Sequence, residues 1–252
     1  MSMYSIIQAL AIVAYLVFFT LYGKNFNISK IKSFLMGIAG MVIYLVLVKF
    51  LAWAETGFKE FGSENGIRVY VLLPIFMYFL AKFTKIEPTK LFDMEAAACV
   101  LMYGLSHLAC IFGGCCHGFQ YYEGTTMYKI AYALTGTNML PLQLFESIAA
   151  LLVFALVFTV GHVKKYNTNG YLLCIWYIVF GTQRFFWEFL RDNDKVIKIA
   201  EMKQADGYIG ISNLAIWSAL MVLAGVVLVF VFRHIAKKQA GIQEDKKEAI
   251  TV

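Results

Sequence analysis

The segment GYLLCIWYIVFGTQRFFWEFL occupies residues 170–190 and decides how the chain folds. It is mostly apolar and long enough to cross about 30 Å of hydrocarbon at a rise of about 1.5 Å per residue. It nevertheless carries Arg184 and Glu188, and a charged side chain at bilayer depth is costly. We therefore predict a membrane-spanning helix that turns a charged face toward other helices.

The whole chain has the composition of a polytopic membrane protein. Of its 252 residues, 60% are hydrophobic and 15% are charged, whereas globular domains have roughly 45–50% apolar and about 25% charged residues. This composition excludes a disordered chain, a secreted disulfide scaffold and a cytosolic enzyme. The net charge of +6 does not call for a nucleic acid partner, because lysines facing an anionic membrane leaflet explain it.

Seven apolar runs predict an all-α transmembrane domain over residues 1–236. Its third span contains Pro74, which a membrane helix tolerates when its neighbours satisfy the freed carbonyl. An external arm covers residues 113–140, and residues 237–252 form a charged cytoplasmic tail that we expect to be disordered. The predicted spans are Tyr4–Tyr22, Phe34–Ala54, Ile67–Ala81, Leu91–Phe112, Leu142–Val160, Gly170–Leu190 and Ile211–Phe232.

The charges of the connecting segments alternate. The segments after the first, third, fifth and seventh spans are basic, with Lys24, Lys30, Lys32, Lys82, Lys85, Lys90, Lys164, Lys165, Arg233, Lys237 and Lys238. Two others are acidic or mixed, with Glu55, Lys59, Glu60 and Glu64, and with Arg191, Asp192, Asp194, Lys195, Lys198, Glu201, Lys203 and Asp206. The positive-inside rule then predicts an external N-terminus and a cytoplasmic C-terminus.

Polar residues follow a helical period in two of the spans. The sixth carries Tyr177, Gly181, Arg184, Glu188 and Arg191, which are three or four residues apart and so share one face. A matching stripe on the fourth span consists of Ala96, Cys99, Tyr103, His107, Cys110 and Gly114. The stripes indicate either a buried site or a structural Arg–Glu pair that joins two helices.

The depths of three polar residues favour a shared site. Arg184 lies about 21 Å and His107 about 24 Å above the cytoplasmic start of their spans, at about 1.5 Å per residue. The fifth span runs the other way and places Glu146 about 6 Å below its outer entrance. Because independent structural pairs need not share a depth, we predict one polar site in the outer third of the bilayer. A guanidinium there suits a phosphate.

The fourth span ends in a segment rich in glycine and cysteine, residues 112–118. The candidate metal ligands in and near this segment are His107, Cys110, Cys115, Cys116 and His117. Their spacing is not one of the usual zinc arrangements, and adjacent cysteines do not easily face the same metal, so we expect no metal site. A thiol-redox pair and simple burial as small hydrophobes are the alternatives.

Three motifs resemble those of the bacterial prolipoprotein diacylglyceryl transferases. Residues 141–146, PLQLFE, resemble the family motif H-P-x-Q-L-Y-E, and residues 177–191 resemble Y-x-x-x-G-x-x-R-x-x-x-E-x-x-R. Residues 106–118 stand in the place of the family signature G-R-x-G-N-F-x-N-x-E-x-x-G and are closer to a branch whose signature ends G-C-C-Y-G. His107 stands where the signature has arginine, and Cys115 where it has glutamate.

The resemblance implies a seven-span transferase of the bacterial inner membrane, without a cofactor. Such an enzyme moves the diacylglyceryl group of phosphatidylglycerol to a prolipoprotein cysteine, although another thiol or a hydroxyl acceptor stays open here. The implied catalytic residues are Arg184 for the phosphate, His107 as base or second phosphate ligand, and Glu146 to orient them. The implied substrate-binding residues are Arg191, Glu188, Gln143, Tyr70, Gly113, Gly114, His117 and Gly118.

Two other functions remain as alternatives. Because the signature arginine is replaced, the chain could be a lipid-binding or partner-binding relative that has lost the chemistry. The cysteines could instead form a redox or metal site. A channel or carrier is disfavoured, because no selectivity ring or broken helix is evident.

Overall fold

The computed structural model describes the backbone of residues 2–55, 57–58, 66–191, 196–204 and 207–251. Most of this backbone is helical, and a two-stranded antiparallel hairpin follows the seventh helix. The elements are α1 Met3–Tyr22, α2 Lys30–Glu55, α3 Gly66–Phe83, α4 Pro88–Gly113, α5 Thr126–Thr135, α6 Leu142–Val163, α7 Tyr171–Glu188, β1 Val196–Gln204, β2 Gly207–Ser212 and α8 Asn213–Thr251. Seven charged residues of the predicted loops lie outside the described residues, namely Lys59, Glu60, Glu64, Asp192, Asp194, Lys195 and Asp206.

Each predicted span overlaps one long helix. Among the described residues, six helices are long and apolar enough to cross a membrane, namely α1, α2, α3, α4, α6 and the first part of α8. Helix α7 is not one of the six. The chain is therefore a helical, multi-pass membrane protein, and α3 continues through Pro74 as expected.

Two features of the fold differ from the sequence analysis. The expected disorder of the tail is wrong for its backbone, because α8 continues as a helix to Thr251. The predicted seventh span begins at Ile211, whereas this residue belongs to β2 and the helix begins at Asn213. A hairpin therefore separates α7 from α8 where the sequence analysis placed a charged loop.

Helix α4 is the central helix of the bundle. It packs against α1, α3, α6 and α7, and most of its residues are buried. Small side chains allow the close approach of its neighbours, which is how helices commonly associate in membranes. At Gly104, for example, the backbone carbonyl accepts a hydrogen bond of 2.5 Å from the Ser147 hydroxyl of α6. These contacts bring the polar stripe of α4 against α6 and α7.

Asp93 of α4 caps the N-terminus of α7. Its carboxylate accepts hydrogen bonds from the backbone N–H groups of Gly170 and Leu172, both at 2.9 Å, and of Leu173 at 3.4 Å. The Thr168 hydroxyl donates to the same carboxylate. A helix leaves its first N–H groups without partners and favours an anion beside them. The cap thus fixes α7 against α4 and sets the height of the charged stripe.

Replacing Asp93 with alanine should destabilise the protein, because it leaves several buried N–H groups without an acceptor. We expect a loss of at least about 2 kcal/mol in the free energy of unfolding, seen as a lower melting temperature in detergent. The control is Glu87→Ala, which removes an exposed pair with Lys90. Equal melting temperatures for the two variants would contradict the capping role.

Candidate active site

A single carboxylate, Glu146, lies at the centre of the polar site. Its side chain is fully buried in the second turn of α6. One oxygen, Oε1, is 2.9 Å from Arg184 Nη1 and 2.5 Å from Arg191 Nη2. The other, Oε2, is 3.0 Å from His107 Nε2 and accepts a 3.3 Å hydrogen bond from the Tyr103 hydroxyl. Glu146 therefore joins α4, α6 and the end of α7.

A second carboxylate, Glu188, binds the same two guanidinium groups. It pairs with Arg184 one helical turn before it, and its Oε1 is 3.3 Å from Arg191 Nε. Its Oε2 accepts a 2.9 Å hydrogen bond from the hydroxyl of Ser212, the last residue of β2. Two guanidinium groups thus face two carboxylates, and this balance makes the burial of all four charges tolerable.

The histidine of the site is held by an aromatic layer. The rings of His107 and Tyr103 stack with centroids 4.0 Å apart. Tyr103 also packs edge to face on Phe180 of α7 at 4.7 Å. Tyr70 of α3 lies one layer further in, 6.2 Å from the Tyr103 ring, and its carbonyl accepts a hydrogen bond from the Tyr177 hydroxyl. The layer fixes the plane of the imidazole against Glu146.

The loop after α4 packs against the end of α7. Gly114 ends α4 with a left-handed φ of 62°. Gly118 bridges to Arg191 through the backbone, and its N–H donates to the Leu140 carbonyl at 2.9 Å. A Cβ on Gly118 would lie 2.5 Å from the Leu190 carbonyl oxygen, so only glycine allows this approach. The loop therefore borders the ionic site.

The structure brings together five of the predicted site residues, namely Arg184, His107, Glu146, Glu188 and Arg191. The remaining six, Gln143, Tyr70, Gly113, Gly114, His117 and Gly118, take no part in the ion pairs of the described residues. Gln143 is buried one turn before Glu146, and Gly113 packs against the Tyr4 ring. His117 Nδ1 is 3.3 Å from the Gly118 carbonyl oxygen in the loop.

The three cysteines at the end of α4 also converge. The Sγ atoms of Cys110, Cys115 and Cys116 all lie within 4.8 Å of one another. Cys116 has a left-handed φ of 60°, which turns the chain so that adjacent thiols face the same point. The expectation that neighbouring cysteines do not face one centre is therefore wrong for this pair.

The charges beside the thiols act on them unequally. A hydrogen bond from the Cys110 thiol lowers the pKa of Cys116, as do His107 and Arg191, although burial acts in the opposite sense. For Cys115, burial raises the pKa. The thiol cluster therefore lies within electrostatic reach of the ionic site.

Two acidic residues of α4 were not singled out from the sequence. Asp93 caps α7, and Glu95 accepts hydrogen bonds of 3.0–3.1 Å from the Tyr15 hydroxyl and of 3.1 Å from the Cys99 thiol. The signal was present, since both carboxylates fall inside an apolar span. Ser212 was missed as well, because only the hairpin brings it to Glu188.

The fold and the site define a class: a helical membrane protein with a buried ionic cluster at one end of its bundle, next to a cluster of thiols. The sequence profile of the family "Prolipoprotein diacylglyceryl transferase" matches residues 1–231. The chain belongs to this family, as the motifs around Glu146 and Arg184 predicted.

Two named relatives are similar to this chain at low identity. The phosphatidylglycerol–prolipoprotein diacylglyceryl transferase 2 of Clostridium perfringens (strain 13 / Type A) is 24% identical over 231 residues, which cover 86% of this chain and 82% of the relative. The phosphatidylglycerol–prolipoprotein diacylglyceryl transferase of Clostridium tetani (strain Massachusetts / E88) is 23% identical over 164 residues, 63% of this chain and 64% of the relative.

Neutralising Glu146 should destabilise the bundle, because it leaves two guanidinium groups short of a buried counter-charge. We expect Glu146→Gln to lower the free energy of unfolding by about 3–5 kcal/mol, measured by thermal unfolding in detergent. Glu123→Gln, an exposed change in the arm, is the matched control. A Glu146→Gln protein as stable as this control would show that the carboxylate does not hold the helices together.

Proposed function

We propose that this protein transfers the diacylglyceryl group of phosphatidylglycerol to the cysteine thiol of a prolipoprotein. The reaction takes place at the outer leaflet of the bacterial inner membrane. Family membership and the substrates named for the two relatives support this activity. The observation that carries it is the pair of guanidinium groups held by Glu146 at one end of the bundle.

The guanidinium groups suit the phosphate of the lipid headgroup. Arginine presents a fixed fork of N–H donors that matches phosphate oxygens, and these donors stabilise the charge that develops on the leaving group. The Arg191 side chain is 9% exposed and that of Arg184 is 4% exposed. Arg191 therefore meets the headgroup first, and Arg184, held between two carboxylates, completes the binding site.

The transfer forms a thioether. The acceptor sulfur attacks the glyceryl carbon that carries the phosphate ester, a C–S bond forms, and the C–O bond to phosphate breaks. Glycerol phosphate leaves with the electron pair of that bond. Attack needs a thiolate, so a base must take the thiol proton.

His107 is the base in this proposal. Its Nε2 is bound to Glu146, and the imidazole also interacts with the side chain of Cys116. Glu146 thus orients the ring through one nitrogen and leaves the other to accept the proton of the acceptor thiol. Glu188 orients the guanidinium groups of Arg184 and Arg191 through its ion pairs with them.

The remaining proposed binding residues surround the headgroup and the acceptor. Gln143 is buried one turn from Glu146, and its Oε1 has no hydrogen-bond partner among the described residues, so it can accept from a glycerol hydroxyl. Tyr70 supports the aromatic layer. The glycine-rich loop with Gly113, Gly114, His117 and Gly118 borders the acceptor.

We further propose seven spans, with the N-terminus outside and the C-terminus in the cytoplasm. Helix α7 is the sixth of these spans in chain order and completes the seven, because it packs against α4, α6 and α8. Its last turns carry Gln183, Arg184 and Glu188, which reduce its mean hydropathy. The basic connections then all face the cytoplasm, and the ionic site faces outward.

Arg184→Ala should abolish the transfer. Purified enzyme with headgroup-labelled phosphatidylglycerol and a lipobox peptide should release glycerol phosphate, and the variant should be slower by about 100-fold or more. Arg184→Lys keeps the charge without the fork and should show an intermediate rate, while Arg233→Ala, an exposed change near the middle of α8, serves as control. Wild-type protein that binds the lipid without turnover would contradict the proposal and support a lipid-binding role.

His107→Gln tests the base directly, because glutamine preserves polarity but cannot take up the proton. We expect a loss of about 100-fold that shrinks when the assay pH is raised and the acceptor thiol ionises by itself. His162→Gln, at the other end of α6, is the control. A rate loss independent of pH would assign His107 a structural role.

Reporter fusions test the orientation. A periplasm-dependent alkaline phosphatase fused after Glu123 should be active, and one fused after Asn167 should be inactive. The opposite pattern, or activity at both positions, would contradict the proposed orientation of the spans before α7.

A further inference from the structure

The thiol cluster has the geometry of a metal site. Cys110 lies in the last turn of α4, and the left-handed residues Gly114 and Cys116 fold the following chain back over it. The three Sγ atoms lie within 4.8 Å of one another. In a tetrahedral zinc site with Zn–S bonds of about 2.3 Å, thiolate sulfurs are about 3.8 Å apart. The thiols therefore need to move by no more than about 1 Å to share one ion.

The donor set favours zinc with an open coordination position. Three thiolates are soft ligands that suit Zn²⁺. Among the described residues, no fourth histidine, cysteine or carboxylate donor lies within the same 4.8 Å limit. Structural zinc sites are closed by four protein ligands, whereas catalytic sites keep one position for a ligand from outside.

The surroundings match the charge of such a site. Three thiolates and one Zn²⁺ carry a net charge of −1, and Cys116 lies within electrostatic reach of the Arg191 guanidinium. The same residue is close to His107. The thiol cluster is therefore connected to the histidine and to one arginine of the ionic site through Cys116.

We propose that Cys110, Cys115 and Cys116 bind a zinc ion whose fourth position receives the acceptor thiol of the transfer. The identity of the acceptor thiol in this inference rests on the proposed function. The metal site itself is independent of that function. The acceptor S–H bond breaks, a Zn–S bond forms, and the proton passes to His107 Nδ1. A metal-bound thiol is deprotonated outright, so the sulfur is held as thiolate beside the glyceryl carbon.

Metal analysis of the full chain tests the site independently of activity. Protein purified in detergent without chelator should contain about one zinc per chain. Cys110→Ser, Cys115→Ser and Cys116→Ser should each lower this content at least about tenfold, because three ligands bind cooperatively around one ion. Cys174→Ser, a buried change in α7, should keep it.

Chelation of the wild-type protein tests the metal site without relying on variants that can fail to fold. Treating the wild-type protein with a chelator and then adding back Zn²⁺ should remove and restore one equivalent without loss of the folded state. Wild-type protein without zinc, zinc that survives all three substitutions, or a disulfide between two of these cysteines in mass spectrometry would overturn the metal site.

Cobalt substitution tests the open position. Co²⁺ bound by thiolates gives near-ultraviolet charge-transfer absorption, and a lipobox peptide with cysteine should increase it, whereas the same peptide with serine should not. Identical spectra with both peptides would overturn the acceptor position. If the cysteine variants lose zinc but still release glycerol phosphate at the wild-type rate, the role of the metal in transfer is overturned and the proposed function stands.

Discussion

One fully buried carboxylate constrains this protein more than any other group. Glu146 has no access to water, so its charge depends on the cationic groups around it. These come from α4, from α7 and from the residue Arg191 beyond α7, and each must reach the same two oxygen atoms. The packing of the small residues of α4 and the cap on α7 follow from the need to hold those helices at matching heights.

The ionic cluster also explains how the site departs from the family pattern. A histidine in place of the signature arginine removes a permanent charge and adds a group that can move a proton. Cys115 stands where the signature has a carboxylate, and the structure places it with two further thiols. We therefore propose that Arg184 and Arg191 bind the phosphate, and that His107 and the thiol cluster activate the acceptor.

The sequence predicted the cluster because helical period and depth are geometric properties of a span. Arg184, His107 and Glu146 could be placed at one height by counting residues alone. The cap by Asp93 and the convergence of Cys115 and Cys116 could not, since the first needs the contact between α4 and α7 and the second needs a left-handed φ. The helical backbone of the charged tail was missed for another reason, because its composition resembles that of a disordered segment.

The most direct test of the central claim is an experimental structure of the protein in nanodiscs that contain phosphatidylglycerol. We expect lipid phosphate density within hydrogen-bonding distance of the Arg184 or Arg191 guanidinium, next to Glu146. A headgroup bound at the opposite end of the bundle, with the arginines paired to carboxylates alone, would contradict it.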